Sequence, residues 1–176
     1  MIKSLSKIIL NNLMHWKVYG NLPNNDKYII AVVPHSSYFD LIIAILIRSS
    51  LGLKIKFIGK KELFNPLTSF LFKFMGGIPV DRGGNKNFVE SVTDLFNSNK
   101  LKILAIAPEG TRKKVNKWKT GFYYIALSAK IPIVMVSFDY QKKEVRINNK
   151  FYPSGDYESD SITLKGYVED AVIRNK

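Results

Sequence analysis

Apolar residues at the start of the chain recur every three or four positions. Ile2, Leu5, Ile9, Leu13 and Trp16 share one helical face, while Lys3, Lys7, Asn11, Asn12 and Lys17 occupy the others. This spacing predicts an amphipathic helix over residues 1–20. Such a helix either packs on the domain or lies in a lipid interface, where a Trp near its end fits well. From Tyr28 the pattern changes. Tyr28–Val33 is a run of β-formers that is apolar on both faces, as a buried strand requires, and Pro34 ends it. Ser36 and Ser37 then offer an N-cap to a helix from Phe39 to Ser50, closed by Gly52.

The alternation continues along the chain. Strands are predicted at Lys54–Gly59, Ile78–Val80, Ile103–Ala107, Ile133–Phe138 and Glu144–Ile147. Helices are predicted at Glu62–Met75, Phe88–Phe96, Phe122–Lys130 and Ile162–Ile173. The helix from Glu62 is apolar almost all round, which suits either buried core or a surface touching lipid. Strands separated by helices point to an α/β fold: a largely parallel central sheet flanked by helices. No linker or shift in composition divides the chain, so 1–176 reads as a single domain with its motif-bearing core at 28–140.

Composition narrows the possibilities. A hydrophobic fraction of 46% excludes a disordered chain, and the absence of cysteine excludes disulfides, thiol catalysis and thiolate metal sites. Two histidines in different contexts, His15 and His35, do not make an all-histidine zinc site, and no metal is expected. No run approaches the ~18 apolar residues of a spanning helix, and Ile8–Leu10 is too short for the core of a signal peptide. A cytoplasmic location is therefore expected. The net charge of +13 calls for an anionic partner: a phosphorylated substrate, an anionic membrane surface or a nucleic acid. The aromatics lie within apolar runs and are not interleaved with Lys and Arg, which argues against a nucleic-acid stacking platform.

In such folds, ligands gather in loops at the carboxyl ends of strands. Three of these loops are chemically loaded: His35–Asp40, Asp81–Gly84 and Pro108–Lys114. His35 ends a buried strand, and Asp40 follows five residues on, in the first turn of the next helix. A carboxylate so placed can bond one imidazole nitrogen and leave the other as a base. The alternative is a solvated loop histidine beside a helix-capping Asp. Gly-x-Ser-x-Gly is absent, so the base would activate a hydroxyl of the substrate. Arg82 and Arg112 each follow a strand and suit bidentate phosphate binding, and Gly110 permits close backbone approach.

These residues resemble the lysophospholipid and glycerol-phosphate acyltransferases, the PlsC-type family. Its His-x4-Asp motif is matched by His35 and Asp40, and the Ile/Val, Val and Arg positions of its Gly-x-Ile/Val-x-Val-x-Arg by Ile78, Val80 and Arg82 in the run Gly77-Ile78-Pro79-Val80-Asp81-Arg82. Phe-Pro-Glu-Gly-Thr-Arg is similar to Ala107-Pro108-Glu109-Gly110-Thr111-Arg112, and Val-Pro-Ile-x-Pro-Val to Ile131-Pro132-Ile133-Val134-Met135-Val136. Lys60-Lys61-Glu62-Leu63 and Trp118-Lys119-Thr120-Gly121 resemble two further elements. Ala107 and Met135 depart from the motifs at non-ionisable positions that bear on pocket shape and acyl preference.

The resemblance implies a glycerol-phosphate acyltransferase-like fold and acyl transfer from a thioester to an alcohol, as in phospholipid biosynthesis. The donor would be acyl-CoA or acyl carrier protein, acting as co-substrate with no resident cofactor. The acceptor would be a lysophospholipid or glycerol phosphate. His35 would take the proton from the acceptor hydroxyl, oriented by Asp40. Lys60, Arg82 and Arg112 would hold the acceptor phosphate, with Glu109, Gly110 and Thr111 shaping that site and Glu109 paired to an arginine. The protein would sit peripherally on the inner face of the cell membrane. A lipid-binding module without turnover, and a thioesterase using the same His–Asp pair, are the alternatives.

Overall fold

The computed structural model describes residues 2–174 apart from 25, 38, 81–86, 113 and 114, with 60, 61, 63, 80, 173 and 174 described by their backbone. Among the described residues seven strands form one sheet: β1 (Lys17–Tyr19), β2 (Tyr28–Val32), β3 (Ile55–Lys60), β4 (Gly77–Val80), β5 (Ile103–Ile106), β6 (Ile133–Asp139) and β7 (Glu144–Phe151). Their order is β1-β7-β6-β2-β5-β3-β4. Strands β2 to β6 run parallel, whereas β7 returns antiparallel to β6 and carries β1 parallel to itself on the outside.

Side-chain alternation along β2 divides the core into two layers. Ile29, Ala31 and Val33 face one cluster with Leu104, Ile133 and Met135, covered by α4 (Phe88–Asn97), α5 (Gly121–Ala129) and α6 (Tyr157–Gly166). Tyr28 and Ile30 face the other with Val134 and Val136, covered by α2 (Phe39–Leu51) and by Leu10 and Trp16 from the N-terminal segment. The fully apolar β2 and β6 sit in the middle because only there does a strand find cover on both faces.

Three predicted helices differ from what forms. The helix expected over residues 1–20 is α1 (Ile2–Ile8) followed by a π-helical turn at Ile9–Leu13, after which Lys17–Tyr19 pairs with β7 as a strand. Of the predicted apolar stripe, Ile2, Leu5 and Leu13 are exposed, Ile9 is half-buried and Trp16 is buried, while Ser6 and Leu10 form the buried line of this segment toward the domain. The expected helix Glu62–Met75 divides into a 3₁₀ turn at Lys61–Phe64 and α3 (Ser69–Phe74). Pro66 disfavours helical geometry in the residue before it, and the Asn65 side chain accepts from the Leu67 and Thr68 amides, both at 3.0 Å, turning the chain between the two pieces. No residue of α3 is buried, so this segment is not core. The predicted helix Ile162–Ile173 is likewise two, α6 and α7 (Glu169–Arg174), and α6 starts earlier because Asp156 caps it through the Glu158 and Ser159 amides.

Strands β3 and β4 are parallel neighbours joined through α3. Arg48 ties α2 to α3 by donating to the Met75 carbonyl at the end of α3 (2.6 Å). Gly76 stands beside this contact with φ +94°, and a Cβ there would lie 2.5 Å from the Arg48 guanidinium and 2.7 Å from the Ile55 carbonyl.

Candidate active site

Sheet register assembles the site. Ala31 of β2 pairs with Ile106 of β5, and Val32 pairs with Val136 of β6, so the chain segments leaving these three central strands emerge side by side at their carboxyl ends. They carry His35, Glu109 and Tyr140 respectively. Asp40 comes from the first turn of α2, which returns under the same edge.

The His35 and Asp40 side chains meet: His35 Nδ1 lies 2.7 Å from Asp40 Oδ2. Asp40 is only 3% exposed, whereas the His35 side chain keeps 29% of its surface open. The same carboxylate oxygen accepts the Ser37 amide at 3.1 Å, and the other, Oδ1, accepts the Tyr140 hydroxyl. The Ser37 amide and the Tyr140 hydroxyl already donate to this carboxylate, and a carboxylate can only accept. The proton between the pair therefore belongs to Nδ1, which leaves Nε2 as the basic nitrogen of a half-exposed ring.

Glu109 reaches across to the loop that carries His35. Its carboxylate accepts the backbone amide of His35 at 2.6 Å, joining the loop after β5 to the loop after β2. Burial raises its pKa, and the nearby negative charge of Asp40 adds to this, against the opposing pull of the His35 amide and ring. Replacing Glu109 with Ala is expected to cost about 1–3 kcal/mol by leaving that amide without its partner. Gln, whose side-chain oxygen can accept the same bond, should cost less; thermal melts of the two variants check this.

The remaining expected site residues are placed less centrally. Gly110 turns the loop with φ +64°, a conformation suited to glycine, and its amide donates to the Ala107 carbonyl at 3.0 Å. Thr111 and Arg112 follow in the same loop and are exposed. Lys60 is the last residue of β3, paired with Val80 of β4. Arg82, two positions beyond β4, lies outside the described residues. Among the described residues no cluster of His, Asp and Glu could hold a metal ion.

Tyr140 was not legible as a site residue. It lies 100 residues from Asp40 and belongs to no motif. Its one signal is its place just past the carboxyl end of a buried strand. Burial, and then its bond to Asp40, push its pKa far up, so it stays a neutral donor.

The acyltransferase family model matches residues 15–139, which include His35, Asp40 and the Glu109 loop and end one residue before Tyr140. The chain is 34% identical over 102 residues to the 1-acyl-sn-glycerol-3-phosphate acyltransferase epsilon of Mus musculus, covering 54% of this chain and 28% of that protein. It is 26% identical over 170 residues to the 1-acyl-sn-glycerol-3-phosphate acyltransferase of Haemophilus influenzae, covering 89% of this chain and 68% of that one. The crystal structure of the 1-acyl-sn-glycerophosphate acyltransferase PlsC from Thermotoga maritima superimposes with a TM-score of 0.64 at 19% identity, over 97% of this chain and 75% of that one. The match of the family model to most of the chain, across the His35–Asp40 pair and the Glu109 loop, makes this protein a member of the acyltransferase family.

Proposed function

We propose that the protein transfers a fatty acyl group from acyl-CoA or acyl carrier protein to the free hydroxyl of a 1-acyl-glycerol phosphate or a related phosphate-bearing acceptor. The observation that carries this is the His35–Asp40 pair at 2.7 Å, at the carboxyl end of the sheet and within the family-matched span. The acceptor class follows the names of the two curated relatives.

In the proposed reaction, His35 Nε2 takes the proton of the acceptor hydroxyl as its oxygen attacks the thioester carbonyl. Asp40 stabilises the imidazolium that forms. Collapse of the tetrahedral intermediate breaks the C–S bond, and the imidazolium returns its proton to the departing thiolate. No resident cofactor is required, because the thioester supplies the driving force. Arg82, Arg112 and Lys60 are proposed to hold the acceptor phosphate, which guanidinium groups match bidentately. An acyl-donor by acceptor-lipid matrix read by mass spectrometry tests this. Ester product that depends on both substrates supports transfer, whereas thioester loss at the same rate without an acceptor would make water the acceptor and the protein a thioesterase.

We also propose that the protein works seated on an anionic bilayer. Among the described residues no helix is long and apolar enough to cross a membrane. Three helices nevertheless turn apolar side chains outward: Ile2, Leu5 and Ile8 on α1, Phe39 and Ile42 on α2, Phe70 (81% exposed) and Phe74 (75%) on α3. Exposed Lys3, Lys7 and Lys73 on the same helices suit anionic headgroups. Replacing Phe70 and Phe74 together with Ser is expected to weaken sedimentation with phosphatidylglycerol vesicles at least ~10-fold, since each ring withdrawn from lipid forfeits roughly 1.5–3 kcal/mol at full burial. Unchanged binding would place the contact elsewhere.

A further inference from the structure

Asp40 has a second anchor that the proton transfer described above does not use. We propose that Tyr140 is a positioning residue for the His35–Asp40 pair, its hydroxyl fixing the carboxylate oxygen that the imidazole leaves free while Trp16 holds its ring. The kinetic consequence rests on the acyl-transfer function proposed above; the positional one does not.

An aspartate carboxylate pivots readily about its terminal torsion, where the preference is broad and two-fold. His35 Nδ1 and the Ser37 amide both bond Oδ2, so alone they would restrain one oxygen and leave the plane free to rotate about it. Tyr140 closes this freedom by donating to Oδ1. The bond lies in a half-buried, water-poor setting, where a hydrogen bond is stronger than in water.

Tyr140 is itself fixed on two sides. Its backbone opens the β6–β7 turn, which is locked where the Lys142 amide donates to Asp139 Oδ1 at 3.0 Å. Its ring meets the Trp16 indole edge-on, with centroids 5.1 Å apart and planes at 88°, and Trp16 is only 4% exposed. Trp16 in turn packs edge-on against Phe138, and its amide donates to the Leu10 carbonyl at 2.9 Å. The next residue, Lys17, donates to the Lys143 carbonyl at 2.9 Å, stapling the N-terminal segment across the turn that carries Tyr140. The N-terminal segment therefore supports the active site as well as packing on α2.

Tyr140→Phe tests the assignment, because it keeps the ring against Trp16 and removes only the hydroxyl. The groups facing the imidazole among the described residues are Asp40 from α2, Glu109 from the β5 loop, and Ser37 and the Tyr140 hydroxyl alongside the carboxylate. Without the phenol, more of the negative charge of Asp40 falls on the imidazolium. The His35 titration followed by NMR is then expected to move upward by about half a pH unit, and kcat to fall about tenfold with both KM values within about twofold. Unchanged near-UV circular dichroism confirms that the packing around Trp16 is kept. An unmoved His35 titration overturns the proposal even if kcat falls, since lost packing would then account for the loss. If the parent protein transfers no acyl group from any donor, the functional assignment fails, and the NMR titration still decides whether Tyr140 positions the pair.

Discussion

Replacing His35 with Ala is expected to lower acyl transfer by about 10²–10⁴-fold, the span that a positioned general base contributes. The loss should fall on the chemical step. The imidazole is half-exposed and belongs to neither core cluster, so the fold should survive its removal. The apolar side chains proposed to meet the bilayer lie on α1, α2 and α3, so vesicle binding should match that of the parent protein. Product formation, melting temperature and sedimentation with liposomes measured on the same preparation check this. A variant that binds vesicles and transfers acyl groups at the parental rate would remove the imidazole from the mechanism.

Replacing Asp40 with Asn should be nearly as severe, for a different reason. The two carboxylate oxygens accept from His35, Ser37 and Tyr140, and asparagine offers one accepting oxygen and one donating NH₂. If the NH₂ faces His35, Nδ1 must become the acceptor and the proton moves to Nε2, which can then no longer act as base. If the oxygen faces His35, the NH₂ meets the Tyr140 hydroxyl donor, and the imidazolium forming on proton transfer loses its counter-charge in either case. A fall of about 10²–10⁴ in kcat follows from the wrong tautomer and the missing charge together. Nitrogen chemical shifts of the His35 ring report the tautomer directly. Retention of the Nδ1–H form together with a parental rate would overturn the account. Asp40→Ala should also cost about 1–3 kcal/mol, because it leaves donors around a buried position without an acceptor.

The strands that build the site were readable because each is a short apolar run closed by a residue that cannot continue it. Pro34 ends β2 and Pro108 follows β5, so the loops bearing His35 and Glu109 announced themselves. The α2 helix was equally plain, from its cap at Ser37 to Gly52. Features resting on long-range pairing were not readable. Lys17–Tyr19 is three residues with no period of its own, and it is a strand only because β7 offers a free edge. The polar stretch Asn148–Lys150 extends β7 past the predicted Ile147 because the backbone of β6 supplies partners through Ile133↔Phe151. The segment from Glu62 looked like one apolar helix, and its composition could not tell core from exposed surface.

The sequence by itself determined the alternation of elements and hence the α/β class. It also determined the His35–Asp40 pair, since five residues spanning a strand end and a helix start let two side chains meet through local geometry. Only the tertiary structure decided what surrounds that pair. Glu109 and Tyr140 reach it from 74 and 100 residues away, brought there by the register of β5 and β6 against β2. Register depends on how whole strands fit between two layers of helices, and that fit is a property of the packed sheet, beyond what any local spacing encodes.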